Sequence, residues 1–87
     1  MIKIKTASGP GAGESSVSVR FGEFEKVAKA QATMTGGYIC KVSISGNTVT
    51  VTPQYFDYDA AADGVAIDVP ASEDLSGETI TVVAEGY

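Results

Sequence analysis

The richest chemistry in the chain lies in Tyr55-Phe56-Asp57-Tyr58-Asp59-Ala60-Ala61-Ala62-Asp63-Gly64. This stretch holds three of the seven aromatics and three of the eleven acids. Extended alternation sets Tyr55, Asp57 and Asp59 on one side and Phe56 and Tyr58 on the other. Two readings follow. In the first, a strand ends here, its aromatics complete a core and the chain turns. In the second, Tyr55, Phe56, Asp57, Tyr58 and Asp59 form an exposed binding or interface loop, because tyrosine offers large contact area at small entropic cost. Asp57, Asp59 and Asp63 also carry the hard oxygen ligands that Ca²⁺ prefers, with Gly64 permitting a sharp turn. Their D-x-D-x-x-x-D-G spacing departs from the EF-hand pattern and no glutamate follows at the bidentate position. Aspartate is also common in ordinary turns. No metal is therefore assigned.

Other reactive chemistry is scarce. The chain has no histidine and a single cysteine, Cys40. A zinc site of Cys/His type lacks its ligands, a histidine-based dyad or triad is excluded, and no intrachain disulfide forms. Cys40 falls on the apolar side of a strand pattern, where a thiol behaves as a small hydrophobe. Carboxylates are plentiful, but glycoside hydrolysis needs two of them across a walled cleft, and 87 residues leave little material for walls. The expectation is a protein that is not an enzyme and carries no cofactor.

The charges are unevenly distributed. Lys3, Lys5, Arg20, Lys26, Lys29 and Lys41 are all the bases, and only Glu14, Glu23 and Glu25 of the acids precede Val42, so the two halves carry +3 and −8. If the halves form separate faces, one copy's basic face meets another's acidic face. A domain this short buries only about 60–65% of its unfolded surface. Disulfides, metals or partner subunits usually supplement such a core, and here partner subunits are the remaining candidate. The acidic balance argues against nucleic-acid binding. No apolar run reaches signal-peptide or membrane-span length, so synthesis in the cytoplasm as a soluble protein is expected, with no membrane contact.

The elements expected to position these residues are mostly strands in a single domain, residues 1–87. Met1 to Thr6 reads as a first strand with Lys3 and Lys5 on the exposed side. Ala7 to Glu14, with three glycines and a proline, reads as a flexible loop or as an arm that lies across a neighbour. Ser16 to Phe21 alternates with Val17, Val19 and Phe21 inward. Phe24, Val27 and Ala28 have helix-like spacing, so residues 23–32 read as a short helix, with a strand bulged near Phe24 as the competitor. The hairpin from Tyr38 to Tyr55 is the best-defined element. The Gly46-Asn47 turn pairs Ile44 with Val49, Val42 with Val51 and Cys40 with Pro53 on one apolar side. Pro53 cannot donate to a ladder and marks an edge or bulge. Val65 to Val69 is a further strand, Ser72 to Leu75 a single helical turn capped by Ser72, and Thr79 to Glu85 the last strand. On that strand Val83 lends the outer face apolar character that calls for a cover. About six short strands between turn signals imply an all-β antiparallel sandwich or small barrel.

The segments Ser16-Val17-Ser18-Val19-Arg20-Phe21, Val42-Ser43-Ile44-Ser45-Gly46-Asn47-Thr48-Val49-Thr50-Val51 and Ile80-Thr81-Val82-Val83-Ala84-Glu85-Gly86-Tyr87 together resemble small β-sandwich proteins of phage and archaeal virus particles. These include tail-associated and head-decoration modules. The resemblance implies a structural or host-contact role through multimers, with incorporation in a virus particle and contact with another particle protein or a host ligand. The expected function is a non-enzymatic structural protein that forms homo-oligomers through complementary charged faces. The alternative is a small monomeric module that binds a glycan or protein ligand through the Tyr55–Asp59 loop.

Overall fold

The computed structural model describes residues 1–56, 66–68 and 74–87, and of residues 55, 56 and 66–68 only the backbone. Within these residues it is an all-β structure of seven strands, β1 (Ile2–Ser8), β2 (Val17–Arg20), β3 (Val27–Met34), β4 (Ile39–Ser45), β5 (Thr48–Phe56), β6 (Ala66–Asp68) and β7 (Thr79–Gly86). Two antiparallel sheets form. The terminal sheet has the order β1-β7-β3, and the hairpin sheet the order β2-β5-β4, with β6 also on β5. Among the described residues the one helical element is a 3₁₀ turn, Thr35–Gly37, which carries the chain from β3 to β4.

The core follows from alternation. Ile80, Val82 and Ala84 of β7 are fully buried and meet Val19, Val49 and Val51 of the hairpin sheet, with Phe21, Phe24 and Val27 closing the same cluster. Phe21 and Phe24 stack with ring centroids 6.0 Å apart. The Gly46-Asn47 hairpin has the expected register, including Cys40 against Pro53. Only Gly46 of the two turn residues uses a positive φ, 59°. Pro53 lies between the β5 residues paired with β2, ending at Val51, and those paired with β6, beginning at Gln54. Its missing N–H therefore falls where no described strand residue pairs with β5 on that edge.

Four expectations are corrected. Residues 23–32 contain no helix. Phe21 to Phe24 is a turn, closed by the Phe24 amide donating to the Phe21 carbonyl at 3.0 Å, and β3 begins at Val27 with a register shift before Lys29. The turn and the bulge each space inward residues by three (Phe24, Val27, Ala30), which mimics a helical period. The open edge of β7 takes a strand instead. Second, β1 is reversed. Lys3 pairs with Ala84 and Lys5 with Val82, so the lysines share the inner side and Ile2, Ile4 and Thr6 face out. One residue of slip decides this. The register is held where Ala7 packs on the core and the strand runs into buried Gly9 and Pro10.

Third, the start of the Gly-rich segment is neither flexible loop nor trans-lying arm. The Gly9 amide donates to the Glu78 carbonyl at 2.9 Å, and the Leu75 amide donates to the Pro10 carbonyl at 2.8 Å. Gly11 and Glu14 then close a small loop on themselves. Fourth, from Asp74 the chain is a turn rather than a helix. The Asp74 carboxylate accepts from the Ser76 amide and hydroxyl, which lowers its pKa. Residues 72 and 73 lie outside the described set.

A Cβ at Gly9 would collide with the Leu75 carbonyl oxygen, a backbone atom that cannot swing aside. Gly9→Ala should therefore destabilise the protein by about 1–3 kcal/mol in urea unfolding. Gly77→Ala, with open space around its Cβ, should stay within about 0.5 kcal/mol of the parent.

Candidate interaction surface

The register of β1 creates the most unusual surface. Outward on the terminal sheet stand Ile2, Ile4, Thr6 and Ser8 of β1, Thr79, Thr81, Val83 and Glu85 of β7, and Lys29, Gln31 and Thr33 of β3. Ile2 and Ile4 are each 64% exposed and Val83 38%. Ile4 is paired with Val83 and Ile2 with Glu85, so the apolar side chains form one patch across two strands. Beside it lies a shallow depression of 230 Å³, lined among others by Ile2, Gln31, Val83 and the charged Lys29 and Glu85. Lys29 and Glu85 are cross-strand partners and, among the described strand residues, the only two charged side chains on the face. Outer sheet faces of soluble sandwiches are normally polar. Single apolar residues there need no explanation, but a contiguous group with so little charge around it does.

The inward-facing Lys5 holds a different feature. Its Nζ donates to the Arg20 carbonyl at 3.0 Å, sits 3.0 Å from Glu23 Oε1, and lies 5.3 Å from the centre of the Phe21 ring. The lysine thus crosses the seam between β1 and the end of β2. Hydrogen bonding from Lys5 holds the Glu23 carboxyl below the ordinary glutamate range. Cys40 is half-buried against the core, and desolvation raises its thiol pKa, which suits packing rather than nucleophilic chemistry.

The charge pattern along the chain becomes a pattern of strand ends. The chain halves are not separate faces, because β7 lies between β1 and β3. Yet Lys3, Lys5, Arg20, Lys26 and Lys29 all lie toward the end where the Gly46-Asn47 turn meets Phe21, Val27 and the chain terminus, along with Glu23, Glu25 and Glu85. At the opposite end stand Glu14, Asp74 and Glu78, and β6, which contains Asp68, pairs with the far end of β5. There the Thr35 hydroxyl donates to the Glu78 carboxylate at 2.5 Å and accepts from the Thr79 amide at 2.9 Å.

Of the residues singled out from sequence, Tyr55 and Phe56 end β5, where their backbones pair with Ile67 and Ala66. Asp57, Tyr58, Asp59 and Asp63 lie outside the described residues. Among the described residues no three metal-ligating side chains come together, and no helix is long and apolar enough to cross a membrane. Ile2, Ile4, Lys29 and Glu85 were not among the sequence candidates. The signal was the Ile-Lys-Ile-Lys alternation, which leaves the buried side undecided. Comparisons with family models, with curated proteins and with solved structures each return no match.

Lys5→Met should lower stability by about 1 kcal/mol at pH 7 through loss of the bond to Arg20. Because the Glu23 pKa is depressed on folding, its part of the clasp is complete above the unfolded glutamate value and disappears as pH falls through the lower folded value. The gap between the urea midpoints of parent and Lys5→Met should narrow from pH 7 to pH 3; an unchanged gap contradicts the clasp.

Proposed function

We propose that the chain is a non-enzymatic structural or interaction module that works by self-association, in the manner of the head-decoration and tail modules of virus particles. The single observation that carries the reading is the exposed patch Ile2, Ile4 and Val83 on a sheet face where, among the described strand residues, two side chains are charged. Burial of such a group on association is favourable by roughly 25 cal/mol per Å² of apolar area, less the cost of ordering two bodies. Five of the six bases outnumber Glu23, Glu25 and Glu85 at one end, and Glu14, Asp74 and Glu78 stand at the other, which adds orientation. A basic end approaching an acidic end is steered at low ionic strength, and the steering is screened beyond roughly 10 Å at 0.1 M salt. The core supports the same reading, since a body of this size without disulfide gains stability from a partner by mass action.

Light scattering over a concentration series should give a mass above that of one chain, with the associated fraction reduced at high salt. Ile4→Lys should shift the equilibrium to monomer while the far-UV spectrum is kept. A parent protein that is a single chain at every concentration, even at low salt, defeats the reading.

A further inference from the structure

We propose that the free edge of β1 takes up an extended segment of another protein as an added antiparallel strand, with carboxylates of that segment opposite Lys3 and Lys5 and apolar residues between them. The partner differs in sequence from this chain, so the proposal goes beyond the self-association above and does not depend on it. β1 is an edge strand, paired with β7 alone among the described residues. The Gly86 amide donates to the Met1 carbonyl and the Gly9 amide to the Glu78 carbonyl. Alternation between these two bonds turns the backbone N–H and C=O groups of Ile2, Ile4 and Thr6 away from β7. All three residues are exposed, and among the described residues nothing bonds to these outward groups. Such a row is a template for strand addition.

The side chains decide what kind of strand fits. In an antiparallel ladder, partner residues opposite Ile2, Ile4 and Thr6 exchange hydrogen bonds with them. Those opposite Lys3 and Lys5 form the other kind of pair, with Cα atoms about 4.5 Å rather than about 5.5 Å apart and side chains closer together. The two lysines are thus the positions at which this edge reads charge. Lys3 is exposed and makes no ion pair or hydrogen bond among the described residues. Lys5 gives one donor to the Arg20 carbonyl and one to Glu23, which leaves one of an ammonium's three. Apolar partner residues between the carboxylates fall beside Ile2 and Ile4 and lengthen the row that Ile4 forms with Val83.

The same lysines turn away the nearest rival, β1 of a second copy. An antiparallel β1–β1 pairing centred on Ile4 would set Lys3 against Lys5 of the partner subunit. Centring it one residue either way opposes Lys3 to Lys3 or Lys5 to Lys5. Like charges directly opposite are unfavourable, and inward-pointing lysines guard edge strands in general. A neutral strand would gain the backbone bonds and leave Lys3 without a partner. Backbone bonds made at an edge replace bonds to water and add little net, while ordering a short segment costs entropy. Binding of a single short strand is therefore weak, with a Kd of about 0.1–1 mM, and depends on the matched charges.

The test is an amide NMR titration of the whole chain with the peptide acetyl-Ser-Thr-Glu-Val-Glu-Val-Ser-amide, whose glutamates fall opposite Lys5 and Lys3. The amides of Ile2, Ile4 and Thr6 should shift as the peptide is raised to about 2 mM. Two control peptides, one with lysine for both glutamates and one N-methylated at the valine between the glutamates, should bind about tenfold more weakly or less. That valine faces Ile4, and the methyl group removes its donor to the Ile4 carbonyl. Lys3→Glu should weaken the original peptide about tenfold and regain the loss with a peptide carrying lysine for its second glutamate. Lys3 is exposed, and a thermal melt checks that the variant folds. Absence of shifts, shifts centred away from β1, or equal binding of either control peptide overturns the proposal. Shifts of the β1 amides with protein concentration alone, and none with peptide, assign the edge to a second copy and overturn it too.

Discussion

Everything in this fold depends on β7 being the middle strand of its sheet. Ile80, Val82 and Ala84 form the floor of the core, and β1 and β3 exist as strands because they take the two edges of β7. The C-terminal segment thus joins the N-terminal one, with Ile2 paired to Glu85. Neither edge strand has a partner until the last residues of the chain are in place, so the terminal sheet closes only after long loops have been ordered. The hairpin β4-β5 is local by contrast and is specified by its own turn and pattern. The core is small, and the two sheets meet through valine, alanine and two stacked phenylalanines rather than through any covalent tie.

Packing at the end of β1 also shapes the surface. Tight contact of Gly9 and Pro10 with Leu75 and Glu78 fixes where the strand ends, and counting back from there turns Lys3 and Lys5 inward. Lys5 escapes burial by reaching across the seam to Arg20 and Glu23, with its ammonium over the Phe21 ring. Ile2 and Ile4 are left outside. The same register therefore builds the clasp that closes one side of the sandwich and exposes the apolar patch on the other. An exposed isoleucine pair is the product of a fold-level choice rather than of local preference, which is why the proposed self-association is built on it.

The hairpin sheet was legible because two independent signals coincide there: Gly46-Asn47 fixes a register, and that register puts Val42, Val49 and Val51 on one side. The last strand was legible from Ile80, Val82 and Ala84, and Val83 already marked its outer face. β1 was not, since an Ile-Lys-Ile-Lys run satisfies strand alternation equally well with either side buried, and the deciding contact lies with Leu75. The 23–32 segment misled because a turn followed by a bulge reproduces a spacing of three. The role of the Gly-rich stretch was missed for a related reason: glycine at position 9 is required by the approach of a distant carbonyl, and no local pattern records that. The candidate loop Tyr55–Asp59 begins where β5 ends, and only its first two backbones belong to the described sheet.

On the proposed reading the Ile2, Ile4 and Val83 patch is where one copy meets another. Amide NMR spectra followed on dilution from about 1 mM to about 10 µM, a range that brackets a weak reversible association, measure this directly. The account predicts concentration-dependent shifts confined to Ile2, Ile4, Val83 and their immediate neighbours, with the hairpin sheet unmoved. Spectra that do not change with concentration, or changes centred on β4 and β5, contradict it.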